Sequence, residues 1–147
     1  MTGDTGRPDA DRYDLDRFVR AQAGGTWESA LAELERGRKT THWMWFVFPQ
    51  IAGLGRSPMA QRYAIGSLEE ARAYLSHPVL GPRLIRGAET VAAATGTAEE
   101  IVGGIDAVKL RSSMTLFARA DPGQDAFTRV LDRCFAGEPD PATLDRL

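Results

Sequence analysis

The run KLRSSMTLF, Lys109 to Phe117, sets an ammonium and two hydroxyls at helical spacing. On a helix Lys109, Ser112, Ser113 and Leu116 share one face at i, i+3, i+4 and i+7, and Arg111 lies beside them. An ammonium with two hydroxyls near a helix start can hold a phosphate or a carboxylate. The plainer reading makes Lys109 a solvated charge and the two serines small residues that let helices approach. Adjacent serines are mildly unfavourable inside a helix, which gives the pair some interest. A second cluster is THWMWFVFPQ, Thr41 to Gln50, which holds four of the chain's twelve aromatic residues. As core, each buried aromatic contributes roughly 1.5–3 kcal/mol. A pure core does not need His42, Pro49 and Gln50 at its two ends, and a Trp with its polar tip suits a boundary between dry and wet. The expectation is a split: part of the block is core, while Trp45 or Trp43, with His42 and Gln50, lines a cleft.

Other constellations carry less. AGLGRS, Ala52 to Ser57, precedes a capped helix start but lacks the lysine and spacing of a phosphate-binding P-loop, so it reads as a connection between helices. His77, just before Pro78, reads as a helix-start residue. The two His are far apart and there is one Cys, without H-x-x-x-H or C-x-x-C, so no metal site is expected. A Ser-His-acid set exists on inventory but has no nucleophile-elbow motif. Cys134 stands at helical spacing from Phe127, Val130 and Leu131 and is expected to be a buried core thiol. No cofactor is implied.

These residues must be positioned by 147 residues of 43% hydrophobic content, a usual size for one domain with one core. The net charge of −2 disfavours a protein that coats nucleic acid. A single thiol cannot form an internal disulfide, no apolar run reaches membrane-span length, and the N-terminus lacks signal-peptide character. A cytoplasmic protein is therefore expected, with an unstructured tail over residues 1–12 and one domain over 13–147.

Punctuation predicts an all-α fold of seven to nine short helices. Asp14 and Thr26 are expected to cap the first two, with Gly37 closing the second. Ser57-Pro58 reads as N-cap and first helical residue, SLEE and TAEE as capping boxes, and Asp106 as the cap of the Lys109 helix. A turn at DPG, Asp121 to Gly123, precedes the Cys134 helix, and Asp140-Pro141 opens a last short one. The segment WMWFVF is apolar on every side, so periodicity does not separate helix from buried strand. Its aromatics favour strand, yet a lone strand would find no partner, so a helix over Thr41–Phe48 is expected.

The stretches GRKTTHWMWFVFPQIAGLG, YAIGSLEEARAYLSHPVLGPRL, DAVKLRSSMTLFA and FAGEPDPATL resemble the bacterial and fungal domain-of-unknown-function family 1810, from about Asp14 to Leu147. The resemblance implies a compact all-α domain and brings no activity. The "calpastatin" label carried by some members does not fit, because calpastatin is disordered whereas this chain is patterned and capped throughout. More distantly, HPVLGPRL with KLRSSMTLF resembles the YbiA-like family associated with ADP-ribose derivatives, without acidic catalytic motifs. Two functions are expected to compete. In one, Trp43, Trp45 and Phe46 face His42, Gln50, Lys109, Arg111, Ser112 and Ser113 across a site for a small nucleotide-like or phosphorylated anion. In the other, the exposed part of the block docks a protein partner.

Overall fold

In the computed structural model, the described residues are 11–147. Most of the expected tail, residues 1–10, lies outside them. Ten helices follow one another: α1 Asp16–Gln22, α2 Thr26–Glu35, α3 Met44–Val47, α4 Pro58–Arg62, α5 Leu68–Ser76, α6 Leu80–Ala93, α7 Ala98–Val102, α8 Gly104–Ala120, α9 Ala126–Phe135 and α10 Pro141–Leu144. That is more than the seven to nine expected, and four of them are only four or five residues long. Among the described residues the only β pairing is one parallel bridge between Ile51 and Ile65. It closes through Ile65 N–H to the Gln50 carbonyl and Ala52 N–H to the Ile65 carbonyl, both at 2.8 Å.

Helix α8 is the axis of the fold, packed by α5, α7, α9 and α10. From Leu110 to Phe117 it is buried on nearly every side, and Leu110, Met114, Leu116 and Phe117 are sealed from solvent. Its first turns emerge from the bundle: Gly104, Ile105 and Val108 are exposed and Asp106 and Lys109 half-buried. A helix apolar all round is a central helix, and α8 keeps that character only where neighbours surround it. Elsewhere, a train of rings runs through the core, with Phe18 edge-on to Tyr74 at 5.1 Å, then Tyr74 to Phe117 at 5.4 Å and Phe117 to Phe127 at 5.8 Å. Where α5 turns into α6, Gly81 lies so close that an added Cβ would sit 2.1 Å from the Leu75 carbonyl oxygen.

Several helix starts follow the sequence. Ser57, Ser67, Thr97 and Asp140 each accept a bond from the amide three residues on, and Thr97 with Glu100 closes a full capping box. Glu70, the partner in SLEE, reaches instead to the Gly66 amide at 2.9 Å. His77 caps α6, its imidazole accepting from the Val79 and Leu80 amides at 3.1 and 3.2 Å. Three expected caps are corrected. Asp14 sits at φ 51°, and Asp11 takes the Leu15 and Asp16 amides in its place. Thr26 is already inside α2, whose N-cap is Gly25. Asp106 is the third residue of α8, because Gly103 at φ 89° ends α7 and starts α8 with a single left-handed residue.

The aromatic block forms one helical turn, α3, with Trp43 before it and Phe48 after it in non-helical backbone. Both ends are clamped by buried polar side chains. At the entry, Glu33 of α2 accepts from the Thr40 amide (2.7 Å), the Thr41 amide (3.0 Å), the Thr41 hydroxyl (2.6 Å) and the Trp43 indole (2.9 Å). On the far side, the Gln22 side chain donates to the Phe46 carbonyl at 2.8 Å and is itself held by Arg83 at 3.2 Å. Cys134 departs from expectation: it is half-buried at the edge of the core, because α9 turns it toward the boundary. No helix among the described residues is long and apolar enough to cross a membrane.

Candidate functional site

The emergent first turns of α8 border two adjoining hollows. The first, of about 400 Å3, is lined by Lys39, His42, Met44, Trp45, Val102, Gly103, Gly104, Ile105, Asp106 and Lys109. The second, of about 410 Å3, is lined by Gln50, Leu54, Gly55, Ile105, Val108, Lys109, Ser112, Asp140 and Ala142. Ile105 and Lys109 border both, so the two hollows adjoin along α8.

Charge in the first hollow is organised by Asp106. One carboxylate oxygen binds the Lys39 ammonium at 2.9 Å and the other binds Lys109 at 3.3 Å. Two ammoniums share one carboxylate, which leaves one positive charge over. Each lysine also lies over an indole: Lys39 is 5.3 Å from the Trp43 ring centre and Lys109 5.1 Å from that of Trp45. Such placement favours the cations electrostatically. Lys39 is fixed through its backbone, whose amide donates to the Ile101 carbonyl at 2.6 Å.

The N-terminus of α8 opens into the same hollow. Among the described residues no side chain caps this helix, and its first backbone bond runs from the Ala107 amide to the Gly103 carbonyl at 2.8 Å. The amides of Gly104, Ile105 and Asp106 therefore precede the helical ladder. A Cβ added at Gly103 or Gly104 would meet open space. Together these groups present amide donors, a helix dipole and a net ammonium charge to one small volume, which is the chemistry of anion binding.

In the second hollow, Ser112 is hydrogen-bonded to Thr143 at 2.7 Å, and the Thr143 hydroxyl donates to Asp140 at 2.6 Å. Asp140 also caps α10 through the Thr143 amide at 3.1 Å. The chain's C-terminal segment is thus tied to α8 where the hollow forms.

Of the residues expected from sequence, His42, Trp45, Gln50, Lys109 and Ser112 line the cleft. Four do not. Trp43 is buried with its indole N–H on Glu33. Phe46 is buried with its ring 5.4 Å from Tyr63. Ser113 is one position further round α8 than Ser112 and points inward, its hydroxyl without a partner among the described residues. Arg111 donates to the Glu138 and Pro139 carbonyls at 2.9 and 3.0 Å, bracing the C-terminal segment. Sequence reasoning missed Lys39, Ile105, Val108 and Asp140, and read Asp106 as a cap that could also serve Lys109 one turn on. A positive residue just upstream of the block was the one available signal for Lys39.

The buried Glu33 is what makes the block rigid enough to form a wall. Burial raises its pKa, but the Thr41 hydroxyl, the Thr40 amide, the Trp43 indole and the Thr41 amide outweigh that effect and hold the carboxyl down at about 2. Elsewhere, burial pushes the Tyr74 phenol above its usual value despite the Gln22 bond and the nearby Arg83 and Arg17 charges.

The family model described as "Protein of unknown function (DUF1810)" matches residues 12–147. Among solved structures, the chain is similar to the conserved hypothetical protein Rv1873 from Mycobacterium tuberculosis. The two share 51% sequence identity and superpose with a TM-score of 0.91, over 93% of this chain and 98% of that one. No curated protein matches significantly.

Proposed function

The chain belongs to the DUF1810 family of proteins of unknown function, and we propose that it binds a small nucleotide-like or phosphorylated anion in the cleft along α8. The observation that carries this reading is the first hollow, where an uncapped helix start faces open space beside Lys39, Lys109 and Trp45. An anionic group there gains the α8 amides and the uncompensated ammonium charge. Asp106 keeps both ammoniums oriented, so little side-chain freedom is lost on binding. Trp45 offers a half-buried aromatic surface for an attached ring. The cleft combines apolar walls with a few convergent polar groups, which is how small-molecule sites are built. We place the protein in the cytoplasm; a single, half-buried thiol suits a reducing compartment.

A non-catalytic docking module is the competing reading. It is favoured by Ile105 and Val108, which are 79% and 64% exposed at i and i+3 on α8. Two side chains fall short of the several hundred Å2 that usually mark a protein interface, roughly 300–600 Å2 for the largest patch of a monomer. They serve equally as the apolar lip of the cleft.

A thermal-shift screen of nucleotides, phosphate esters and inorganic phosphate tests the proposal. A ligand at 100 times its dissociation constant adds ~2.7 kcal/mol of stability. Stabilisation by at least one such anion, lost in Lys109→Ala, is the expected outcome. No stabilisation by any of them at millimolar concentration contradicts it.

A further inference from the structure

The second hollow is more than an extension of the first, because its hydrogen bonds have a fixed direction. Thr143 Oγ1 lies 2.6 Å from Asp140 Oδ2 and 2.7 Å from Ser112 Oγ. An ionised carboxylate can only accept, so the Thr143 proton is committed to Asp140. The Thr143 oxygen must then accept, and the proton in the Ser112–Thr143 bond comes from Ser112. Ser112, 1% exposed at the inner wall of the hollow, therefore has only lone pairs left to offer it. Asp140, which also lines it, receives both its protein bonds on Oδ2, leaving Oδ1 without a donor among the described residues. Leu54, Ile105, Val108 and Ala142 supply its apolar walls, and Gln50, Gly55 and the Lys109 stem shared with the first hollow complete the lining.

From this we infer that the second hollow is a subsite for a group rich in hydrogen-bond donors, joined to the anion held in the first; the inference rests on the anion reading above. Eight residues of α8 separate Gly104 from Ser112, a span of ~12 Å at helical rise. A ligand reaching both ends carries its anion at one end and its donor at the other, with an apolar flat body between them. A bare sugar phosphate is too short. The class that fits is a nucleoside monophosphate whose base bears an exocyclic amine, with the phosphate at the α8 N-terminus and the amine facing Ser112 and Asp140.

Calorimetric titration with three probes decides it: inorganic phosphate, adenosine 5′-monophosphate, and purine riboside 5′-monophosphate, which lacks only the amine. The expected result is that the adenosine ester binds roughly tenfold or more tightly than its deamino analogue, the worth of about one buried hydrogen bond. Ser112→Ala should narrow that discrimination, Asp140 Oδ1 retaining part of it, while inorganic phosphate, held at the far end of the α8 stretch, serves as the control that does not reach Ser112. A merely structural serine would instead weaken all three probes together, and that result overturns the inference. So does equal affinity of wild-type protein for the two nucleoside esters, which needs no variant to fold. Phosphate binding without discrimination overturns the subsite alone; failure of all three probes to bind overturns both the subsite and the anion reading.

Discussion

Replacing Glu33 with Gln removes one negative charge from the point where the aromatic block is tied to α2. Glu33 is 3% exposed and receives four hydrogen bonds, from the Thr40 and Thr41 amides, the Thr41 hydroxyl and the Trp43 indole. Gln fills the same volume but turns an amide NH2 toward a group of donors. The magnitude follows from the carboxyl's displacement from 4.5 to about 2. At about 1.4 kcal/mol per unit, that is ~3 kcal/mol of stability carried by the ionised form. The folded-state value lies below the unfolded one, so this contribution is complete above about pH 5 and disappears as pH falls toward about 2. Urea unfolding of wild type and Glu33→Gln between about pH 7 and pH 3 measures it. The expected gap is ~3 kcal/mol at neutral pH, shrinking steadily below about pH 4.5. A gap that does not change with pH, or one under ~1 kcal/mol at neutral pH, would refute the account of an ionised clamp.

Trp43→Ala and Phe46→Ala should each cost ~3–5 kcal/mol in chemical denaturation, since both side chains are buried; a loss under ~1 kcal/mol in both would put the block at the surface. Gly81→Ala forces a Cβ to within 2.1 Å of the Leu75 carbonyl oxygen, and thermal unfolding should register a loss of ~1–3 kcal/mol or more. Lys109→Ala should change stability by less than ~1 kcal/mol, because Asp106 keeps Lys39 at 2.9 Å; a variant that unfolds would make Lys109 a structural residue. Burial pushes the Cys134 thiol up, with Arg133 opposing and Glu99 assisting. Iodoacetamide should therefore modify Cys134 more slowly in the folded protein than in urea near neutral pH, and equal rates would contradict its half-buried placement.

Helix starts governed by a side chain within three residues were legible in the sequence. Ser57, Thr97 and Asp140 cap as their spacing implies, because a cap is a local bond. Asp14, Thr26 and Asp106 misled because neighbouring backbone took over: Gly25 and Gly103 start two helices by left-handed turns, and Asp11 serves in place of Asp14. Half of the cleft was readable in the same way. His42, Trp45 and Gln50 belong to a stretch whose polar ends announced a boundary, and Lys109 with Ser112 shares a helical face. Ser112 and Ser113 could not be told apart, because both are buried and one position's rotation about α8 decides which of them borders the cleft. Nor could Trp43 be separated from Trp45. That choice is made by Glu33 ten residues upstream, whose carboxylate draws the Trp43 indole inward. The Lys39–Asp106–Lys109 arrangement joins the segment after α2 to α8, a juxtaposition that only tertiary packing creates.

The claim that the cleft along α8 is an anion site is tested most directly by titrating isotopically labelled protein with adenosine 5′-monophosphate and following amide and indole resonances. Saturable shifts should concentrate on the Gly103, Gly104 and Ile105 amides and the Trp45 indole N–H, which border the first hollow. The Trp43 indole N–H, buried on Glu33, should hardly move. Saturable shifts confined to another face of the molecule, or none at millimolar nucleotide, would contradict the account.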